Sequence, residues 1–262
     1  MNSPIVSVLM TAYNREKYIS EAIQSVLSST CTDFELIIVD DCSNDKTVEI
    51  ARKYEEEDHR VKVYANEVNL GDYPNRNKAA SYAMGKYIKY LDSDDIMYPH
   101  CLEVMVNCME YFPEAGYGLC AVYDAKGPYP SLLNPHDAYI EHFYGFGHFN
   151  RAPGSAIILK KAFEKVGGFS GKRMIGDLEL WFILSRNFPL VKMHQGLVWS
   201  RLHDTQELRS KYANNYAVLT KMVIEESLDQ QDCPISQNEI NAIKKTLKRR
   251  KRKQQILKLL NF

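Results

Sequence analysis

The chain has 262 residues, 45% of them hydrophobic and 25% charged, which is typical of a globular protein and excludes fibrous and disordered classes. Its formal net charge is zero, but residues 244–262 carry nine of the 33 Lys and Arg residues and no acid, so a basic tail follows an acidic body. The six cysteines form no Cys-x-x-Cys pair, and no stretch reaches 18 apolar residues. We therefore expect reduced thiols in a cytoplasmic protein without a zinc site, a signal peptide or a membrane span.

The first part of the chain alternates short apolar runs with amphipathic segments. The apolar runs predict strands at 5–10, 35–39, 61–64 and 87–91. Apolar residues at helical spacing predict helices at 18–27, 48–54 and 73–84. Strands that alternate with helices imply right-handed crossovers and a largely parallel sheet. The sequence therefore predicts an α/β fold in which the loops that follow the strands lie together at one edge.

Acidic residues follow two of these predicted strands. Asp40 and Asp41 come after the second strand, and Asp92, Asp94 and Asp95 come after the fourth. Carboxylates this close repel one another unless donors or a cation offset their charge, and hard oxygen ligands favour Mg²⁺ or Mn²⁺. The pattern predicts a site for a metal and a diphosphate. The alternative is that these acids serve only in turns and helix caps.

Arg76 lies near the start of the predicted helix at 73–84, in the segment between these two acidic loops. Its guanidinium could grip a phosphate or pair with an acid, and a surface salt bridge is the simpler alternative.

The second part of the chain is less regular. Helical spacing predicts helices at 99–112, 160–166, 176–184 and 212–223. Apolar runs predict strands at 117–123, 155–159 and 197–202. Periodicity fails between 124 and 151, where Gly, Pro, His and aromatic residues concentrate. Long segments of this kind are often binding loops, so we expect an acceptor-binding or lid role, with core packing of the aromatic rings as the alternative. His136, His142 and His148 match no common spacing of metal ligands.

Asp177 and Glu179 open the predicted helix at 176–184. A carboxylate at a helix start that faces a cleft is well placed to act as a general base. Complementing the helix dipole is the alternative.

The C-terminal tail interleaves basic and apolar residues. The apolar ones are Ile240, Ile243, Leu247, Ile256, Leu257 and Leu260. Basic amphipathic segments lie on anionic membrane surfaces, so we expect residues 244–262 to bind such a surface. A solvated tail or a helix for a partner protein are alternatives, and the acidic body argues against nucleic acid as a partner.

Seven short motifs spread over residues 4–205 resemble those of the family 2 glycosyltransferases. They lie at 7–14, 39–45, 69–71, 76–77, 91–95, 167–169 and 177–181. Each is weak alone, but their order and intervals are specific. The resemblance implies the GT-A fold, with a Rossmann-like, mostly parallel or mixed sheet flanked by helices. It also implies a nucleotide-binding half at about 1–95, an acceptor half at 96–205, and a helical C-terminal extension at 206–262.

The resemblance further implies which residues bind the donor. Thr11, Ala12, Tyr13 and Asp41 would line the nucleobase and ribose pocket. Arg76 would lie near the base or the diphosphate.

The remaining implied roles concern the metal and the chemistry. Asp92 would hold the ribose or a metal-bound water, and Asp94 would ligate the metal. His203 would approach the metal or the diphosphate, and Asp177 matches the family's catalytic base. One departure is Gly176, since the family often has an acid before the catalytic Asp.

The sequence thus predicts an inverting glycosyltransferase that uses Mn²⁺ or Mg²⁺ and a UDP-sugar. Its acceptor would be a glycan or a lipid-linked sugar in surface polysaccharide synthesis, and it would work in the cytoplasm, peripherally at the inner face of the cytoplasmic membrane. Two alternatives remain open. A nucleotidyltransferase shares the layout but needs a glycine-rich phosphate loop, and residues 11–17 contain no glycine. A catalytically silent nucleotide-sugar-binding module would explain Gly176.

Overall fold

The computed structural model describes residues 3–121, 127–204 and 215–259, with side chains described as far as Arg250. Within these ranges the strands are β1 (Val6–Ala12), β2 (Phe34–Asp40), β3 (Val61–Ala65), β4 (Tyr87–Asp92), β5 (Ile96–Met97), β6 (Tyr117–Cys120), β7 (Ser131–Leu133), β8 (Ala156–Leu159), β9 (Leu190–Met193) and β10 (Val198–Trp199). The helices are α1 (Ile19–Leu27), α2 (Thr47–Glu57), α3 (Asp72–Tyr82), α4 (Cys101–Tyr111), α5 (Pro135–Tyr144), α6 (Lys160–Lys165), α7 (Gly176–Asn187), α8 (Tyr216–Leu228) and α9 (Gln237–Leu259).

One large mixed sheet runs through the described part of the chain. Its eight strands lie in the order β3-β2-β1-β4-β8-β6-β9-β7. The first four are parallel, and β8 then pairs antiparallel with both β4 and β6. The chain moves outward from β1 to β2 and β3, and then returns to place β4 on the other side of β1. Ligands of open α/β sheets bind at such a switch point, beyond the carboxyl ends of the strands.

The central strands of this sheet pack apolar side chains on both faces. In β1, Leu9 belongs to one buried cluster, while Val8 and Met10 belong to the cluster on the other face. A strand that is buried on both faces appears in the sequence as a continuous apolar run. The predicted α/β architecture is confirmed.

The second part of the chain departs from the prediction in three places. The segment between 124 and 151, which showed no periodicity, contains β7 and α5, and a further strand, β9, was not predicted. The helix signal was present, since the Asn134 side chain caps α5 by accepting a 2.8 Å hydrogen bond from the Asp137 N–H, and Pro135 opens the helix. The predicted strand at 197–202 forms only the short β10, which pairs with β5.

The three histidines of this segment have different partners, although His142 and His148 are close enough for their charges to interact. His142 stacks on Phe149, and burial lowers the pKa of His142 to about 3. His148 bonds to Glu141, whereas His136 bonds to Glu239 of α9.

The C-terminal helices pack on the domain. Ile240 and Ile243 of α9 are buried in the core, and Leu247 packs against it. The first half of α9 thus uses its apolar face for packing on the domain. Membrane binding by residues 244–262 stays a prediction. The side chains of Ile256, Leu257 and Leu260 lie outside the described residues. Among the described helices, none is long and apolar enough to cross a bilayer.

Candidate active site

The loops that follow β1 and β2 are hydrogen-bonded to each other and form one rim of the site at the carboxyl edge of the sheet. The Asn14 N–H donates to Ser43 Oγ over 2.8 Å, and the Asn44 N–H donates to Asn14 Oδ1 over 2.9 Å. Asn14 has a positive φ of 52°, a conformation that Asn tolerates better than most residues. Next to this rim, Thr11 is half-buried, Ala12 is buried and Tyr13 is 45% exposed. The structure thus offers Tyr13 as an open ring at the predicted nucleobase pocket.

Asp41 lies behind this rim and is only 4% exposed. Its carboxylate accepts hydrogen bonds from the N–H groups of Leu70 and Gly71, both over 2.8 Å, and from the Asn66 amide over 2.9 Å. These bonds fix the loop that leads into α3. The predicted contact of Asp41 with the donor stays a prediction, and in this structure its carboxylate holds the loop.

Arg76 and Asp92 form the central ion pair of the edge. Arg76 Nη2 donates to Asp92 over 2.7 Å, and Arg76 Nε donates to Asp72 over 2.8 Å. The guanidinium is buried, and its Nη1 has no hydrogen-bond partner among the described residues. A buried donor left without a partner is costly, which makes this atom a natural contact for an anionic ligand. The sequence alternative of a surface salt bridge is wrong for Arg76, because the residue is buried.

Asp94 is contacted by two cationic or titratable side chains. Arg15 Nε and His203 Nε2 each lie 2.9 Å from Asp94 Oδ2. The His203 ring also stacks on Tyr18, with 5.0 Å between the ring centroids. The structure therefore brings together the two residues predicted at the metal, although they are 109 positions apart in sequence.

Asp95 anchors the segment that carries His203. It accepts hydrogen bonds from the Arg201 N–H over 3.0 Å and from Ser200 Oγ over 3.1 Å. Burial, and next the charge of Asp92, raise the pKa of Asp95 to about 7. The α4 helix begins after His100 without a side-chain cap bond, so the alternative that Asp94 or Asp95 caps it is wrong.

The three acids suit a divalent cation. Asp92, Asp94 and Asp95 each offer a carboxylate oxygen, and these atoms lie within 4.8 Å of one another. Hard oxygen donors of this kind, with an imidazole alongside, fit Mn²⁺ or Mg²⁺. A cluster of three negative charges also repels itself, so a cation would stabilise it.

A cavity of about 210 Å³ opens beside Asp95, on the side of β6. Polar groups around it include Arg151, Ser155 and Ser200.

The α3 helix connects the acidic edge to Asp177. Arg76 on α3 pairs with Asp92, and its charge also acts on Asp177 at the start of α7. Tyr73, one turn earlier on α3, packs against the same helix start. Asn77 fixes the turn before α7, because its amide donates to Phe169 O over 2.8 Å and its oxygen accepts from the Phe169 N–H over 3.0 Å. The helix α3 thus contacts both the acidic residues at the sheet edge and the predicted base, Asp177.

The protein environment changes the pKa of the Asp177 carboxyl group. Burial raises the pKa of Asp177 to about 6, against the opposing effects of the Leu178 N–H, the Tyr73 hydroxyl and the charge of Arg76. The Leu178 N–H donates to Asp177 Oδ1 over 2.8 Å. Such a carboxylate is largely ionised at pH 7 and is more basic than an exposed one, which suits a general base.

Sequence reasoning missed four residues of this site: Arg15, Tyr73, Ser200 and Arg201. Arg15 directly follows the loop at 11–14, and its position there was the available signal. The contacts of Ser200 and Arg201 depend on a long-range approach to Asp95, for which the sequence carries no local signal.

Comparison with known proteins agrees with this geometry. The model of the family "Glycosyl transferase family 2" matches residues 7–167, more than half of the chain. The putative glycosyltransferase EpsE of Bacillus subtilis is 32% identical over 194 residues, covering 69% of this chain and 67% of EpsE. The Escherichia coli protein WfgD, named UDP-Glc:alpha-D-GlcNAc-diphosphoundecaprenol beta-1,3-glucosyltransferase, is 40% identical over 109 residues, which are 42% of each chain.

Only part of several relatives is covered. The matches to the first relatives extend over 39% and 48% of their lengths.

Solved structures show the same fold at low sequence identity. S. aureus TarS 1-349 in complex with UDP-GlcNAc has a TM-score of 0.71 at 20% identity, covering 91% of this chain and 70% of that one. The mannosyltransferase PcManGT from Pyrobaculum calidifontis, in complex with GDP-Man and Mn²⁺, has a TM-score of 0.69 at 15% identity, covering 89% of this chain and 67% of that one. The predicted GT-A fold is confirmed by these likenesses.

Proposed function

The chain belongs to glycosyl transferase family 2, and from this premise we propose that it is a glycosyltransferase that transfers a sugar with inversion from a UDP-sugar to a glycan or lipid-linked acceptor. The observation that carries the proposal is the position of Arg76. Arg76 pairs with Asp92 at the acidic edge of the sheet, and its charge also acts on Asp177. The helix α3 therefore positions both the proposed donor site and the proposed base. The role in surface polysaccharide synthesis belongs to the same proposal.

The proposed donor is a nucleoside diphosphate sugar bound along the carboxyl ends of β1, β2 and β4. Tyr13 would stack on the base, and Arg76 Nη1, which is buried and has no hydrogen-bond partner among the residues that the structure describes, would donate to the diphosphate. Uridine is the proposed base because the name of WfgD includes UDP-Glc and TarS holds UDP-GlcNAc. PcManGT holds GDP-Man, so a guanine nucleotide is the comparison to include in any test.

A divalent cation, Mn²⁺ or Mg²⁺, fits the acids of the edge. Asp94 and His203 would hold it, with Asp92 on the ribose side. When bound, such an ion would stabilise the negative charge that grows on the departing diphosphate. Arg15 offers a second positive charge beside Asp94 for the same purpose.

Asp177 is the proposed general base. Its carboxylate takes the proton of the acceptor hydroxyl while that oxygen attacks the anomeric carbon from the face opposite the diphosphate. One carbon–oxygen bond to the acceptor forms as the bond to the diphosphate breaks, and the configuration inverts. General base catalysis contributes about 10²- to 10⁴-fold in rate, so loss of this carboxylate should affect turnover far more than donor binding.

The proposed acceptor side lies toward β6. The cavity beside Asp95 is lined by hydroxyl, guanidinium and carboxylate groups that suit the hydroxyls of a sugar.

Peripheral membrane binding is a further part of the proposal. Residues 244–262 carry nine Lys or Arg and no acid. Near the start of this basic stretch, Arg250 and Leu247 share a small cleft with Tyr144, which is 50% exposed, and Phe146 close by is 60% exposed. Basic residues beside exposed aromatic rings suit an anionic membrane surface.

Vesicle cosedimentation tests the membrane proposal. Wild-type protein should sediment with vesicles that contain an anionic lipid and much less with neutral ones. Deleting residues 244–262 should abolish the difference. Equal sedimentation with both vesicle types would overturn the proposal.

Donor turnover tests the enzymatic proposal. Release of UDP from a panel of UDP-sugars with Mn²⁺, with and without candidate acceptors, should fall about 10²-fold or more in Asp177→Asn. Asp33→Asn, an exposed substitution at the opposite edge of the sheet, is the matched control and should match wild type. Full activity in Asp177→Asn would overturn the proposed mechanism.

A second candidate function is a catalytically silent nucleotide-sugar-binding module. Gly176, which stands where the family often has an acid, is the observation that favours it. The same turnover assay decides between the two functions, because a silent module binds UDP-sugars but releases no UDP with any acceptor.

A further inference from the structure

The start of α7 is shaped by a contact between Gly176 and Tyr73 of α3. A Cβ placed on Gly176 would lie 2.9 Å from both Cδ2 and Cε2 of the Tyr73 ring and 3.1 Å from its Cγ. Contacts under 3.0 Å do not occur for real Cβ atoms, so this ring needs glycine at position 176. The ring is 5% exposed and packs on Phe169 with 5.0 Å between centroids. Tyr73 therefore cannot swing away easily.

The hydroxyl of the same tyrosine interacts with Asp177. It lies near enough to the Asp177 carboxyl to favour its ionised form, and so lowers the pKa of Asp177 against the effect of burial. Burial, and next the charge of Asp177, in turn raise the pKa of the Tyr73 hydroxyl. Tyr73 therefore contacts the start of α7 with its ring and influences the carboxyl of the predicted base with its hydroxyl.

We infer that Tyr73 is a positioning residue for the transfer reaction, which fixes the start of α7 across Gly176 with its ring and orients the Asp177 carboxylate with its hydroxyl. The inference rests on the proposed role of Asp177 as the base. It also accounts for Gly176, because the ring of Tyr73 occupies the space into which a side chain at 176 would project. Gly176, which departs from the family pattern, and Tyr73 therefore depend on each other.

The charged and titratable groups around Asp177 come from two other elements. Asp72, Tyr73 and Arg76 face it from α3, and Tyr216 faces it from α8. Arg76 and the Tyr73 hydroxyl favour the ionised carboxylate, whereas Asp72 disfavours it. Removing the tyrosine hydroxyl deletes one of the favourable contacts and leaves the others in place.

The first experiment compares Tyr73→Phe with wild type. The ring and its packing remain, so the protein should fold, but kcat should fall roughly tenfold while KM for the donor stays within about twofold. The acid limb of the pH profile of kcat should move to higher pH by up to about one unit, because the ionised Asp177 carboxylate loses a hydrogen-bond donor and its pKa rises. Tyr82→Phe, at the far end of α3, is the matched control and should leave both values unchanged.

The second experiment tests the ring contact. Gly176→Ala should lower kcat strongly in the wild-type background, because the new Cβ displaces the Tyr73 ring. In a Tyr73→Ala background, which is already impaired, the same substitution should cost much less, so the two effects should not add.

These experiments separate failure of the inference from failure of the proposed function. If Asp177→Asn has lost activity but Tyr73→Phe keeps the kcat and the acid limb of wild type, the inference is overturned and the base remains. Strict additivity of the Gly176 and Tyr73 effects would also overturn it. If Asp177→Asn keeps full activity, the proposed function and the inference fall together.

Discussion

Replacing Asp177 by Asn should stabilise the folded protein at pH 8, in addition to removing activity. Burial is the largest influence on this carboxyl group, and it raises the pKa of Asp177 from 3.8 to about 6. Ionisation therefore costs free energy in the folded state. The cost is fully present above the folded-state pKa of about 6 and disappears below the unfolded-state value. An uncharged Asn avoids it.

The size of this effect follows from the pKa difference. A shift of about two units corresponds to at most about 3 kcal/mol at pH 8 and to about a third of that at pH 4.5. For a domain of this size, each kcal/mol moves Tm by about 2–4 °C. Urea unfolding of wild type, Asp177→Asn and the control Asp33→Asn at the two pH values would measure it. The reasoning is refuted if Asp177→Asn is no more stable than wild type at pH 8, or if its gain is the same at both pH values.

Three further predictions concern the fold and the edge. Gly85→Ala should lower the free energy of unfolding by about 1–3 kcal/mol, visible as a lower urea midpoint, because its Cβ would lie 2.5 Å from the backbone nitrogen of Ser7. Asn134→Ala should cost about 1 kcal/mol in the same assay, because it removes the cap of α5. Arg76→Leu should lower the free energy of unfolding by about 1–3 kcal/mol, because Asp92, which is only half-buried, loses a charged hydrogen-bond partner. It should also abolish UDP-sugar binding measured by calorimetry, and unchanged binding would contradict the proposed diphosphate contact.

The acidic residues at the edge of the sheet were predictable because they come directly after the apolar run of a predicted strand. Strand β4 ends at Asp92, where the apolar run stops, and Asp94 and Asp95 follow directly. Parallel strands bring their carboxyl ends to one edge, so the order of strands and loops was enough to place Asp41 at the same edge of the sheet as these acids. The contact between His203 and Asp94 was anticipated only through the family resemblance.

The missed features depend on tertiary contacts. Lys89 lies within a predicted strand, yet it is fully buried, because helices cover both faces of the sheet and its Nζ donates to the carbonyl oxygens of Tyr90 and Gly154. The role of Tyr73 depends on α7, which begins more than 100 residues later in the chain. The burial of Ile240 and Ile243 of α9 could not be predicted, because an apolar face that packs on the protein itself has the same periodicity as one that enters a bilayer.

Calorimetric titration of a UDP-sugar in the presence of Mn²⁺ tests the central claim most directly, since that claim places a metal-dependent nucleotide-sugar site at Asp94. Wild type and Asp33→Ala should bind with the same affinity, and both should lose binding when the metal is chelated. Asp94→Ala should bind at least about tenfold more weakly, which corresponds to 1.4 kcal/mol or more. Absence of binding by wild type, or equal binding by Asp94→Ala, would contradict the account.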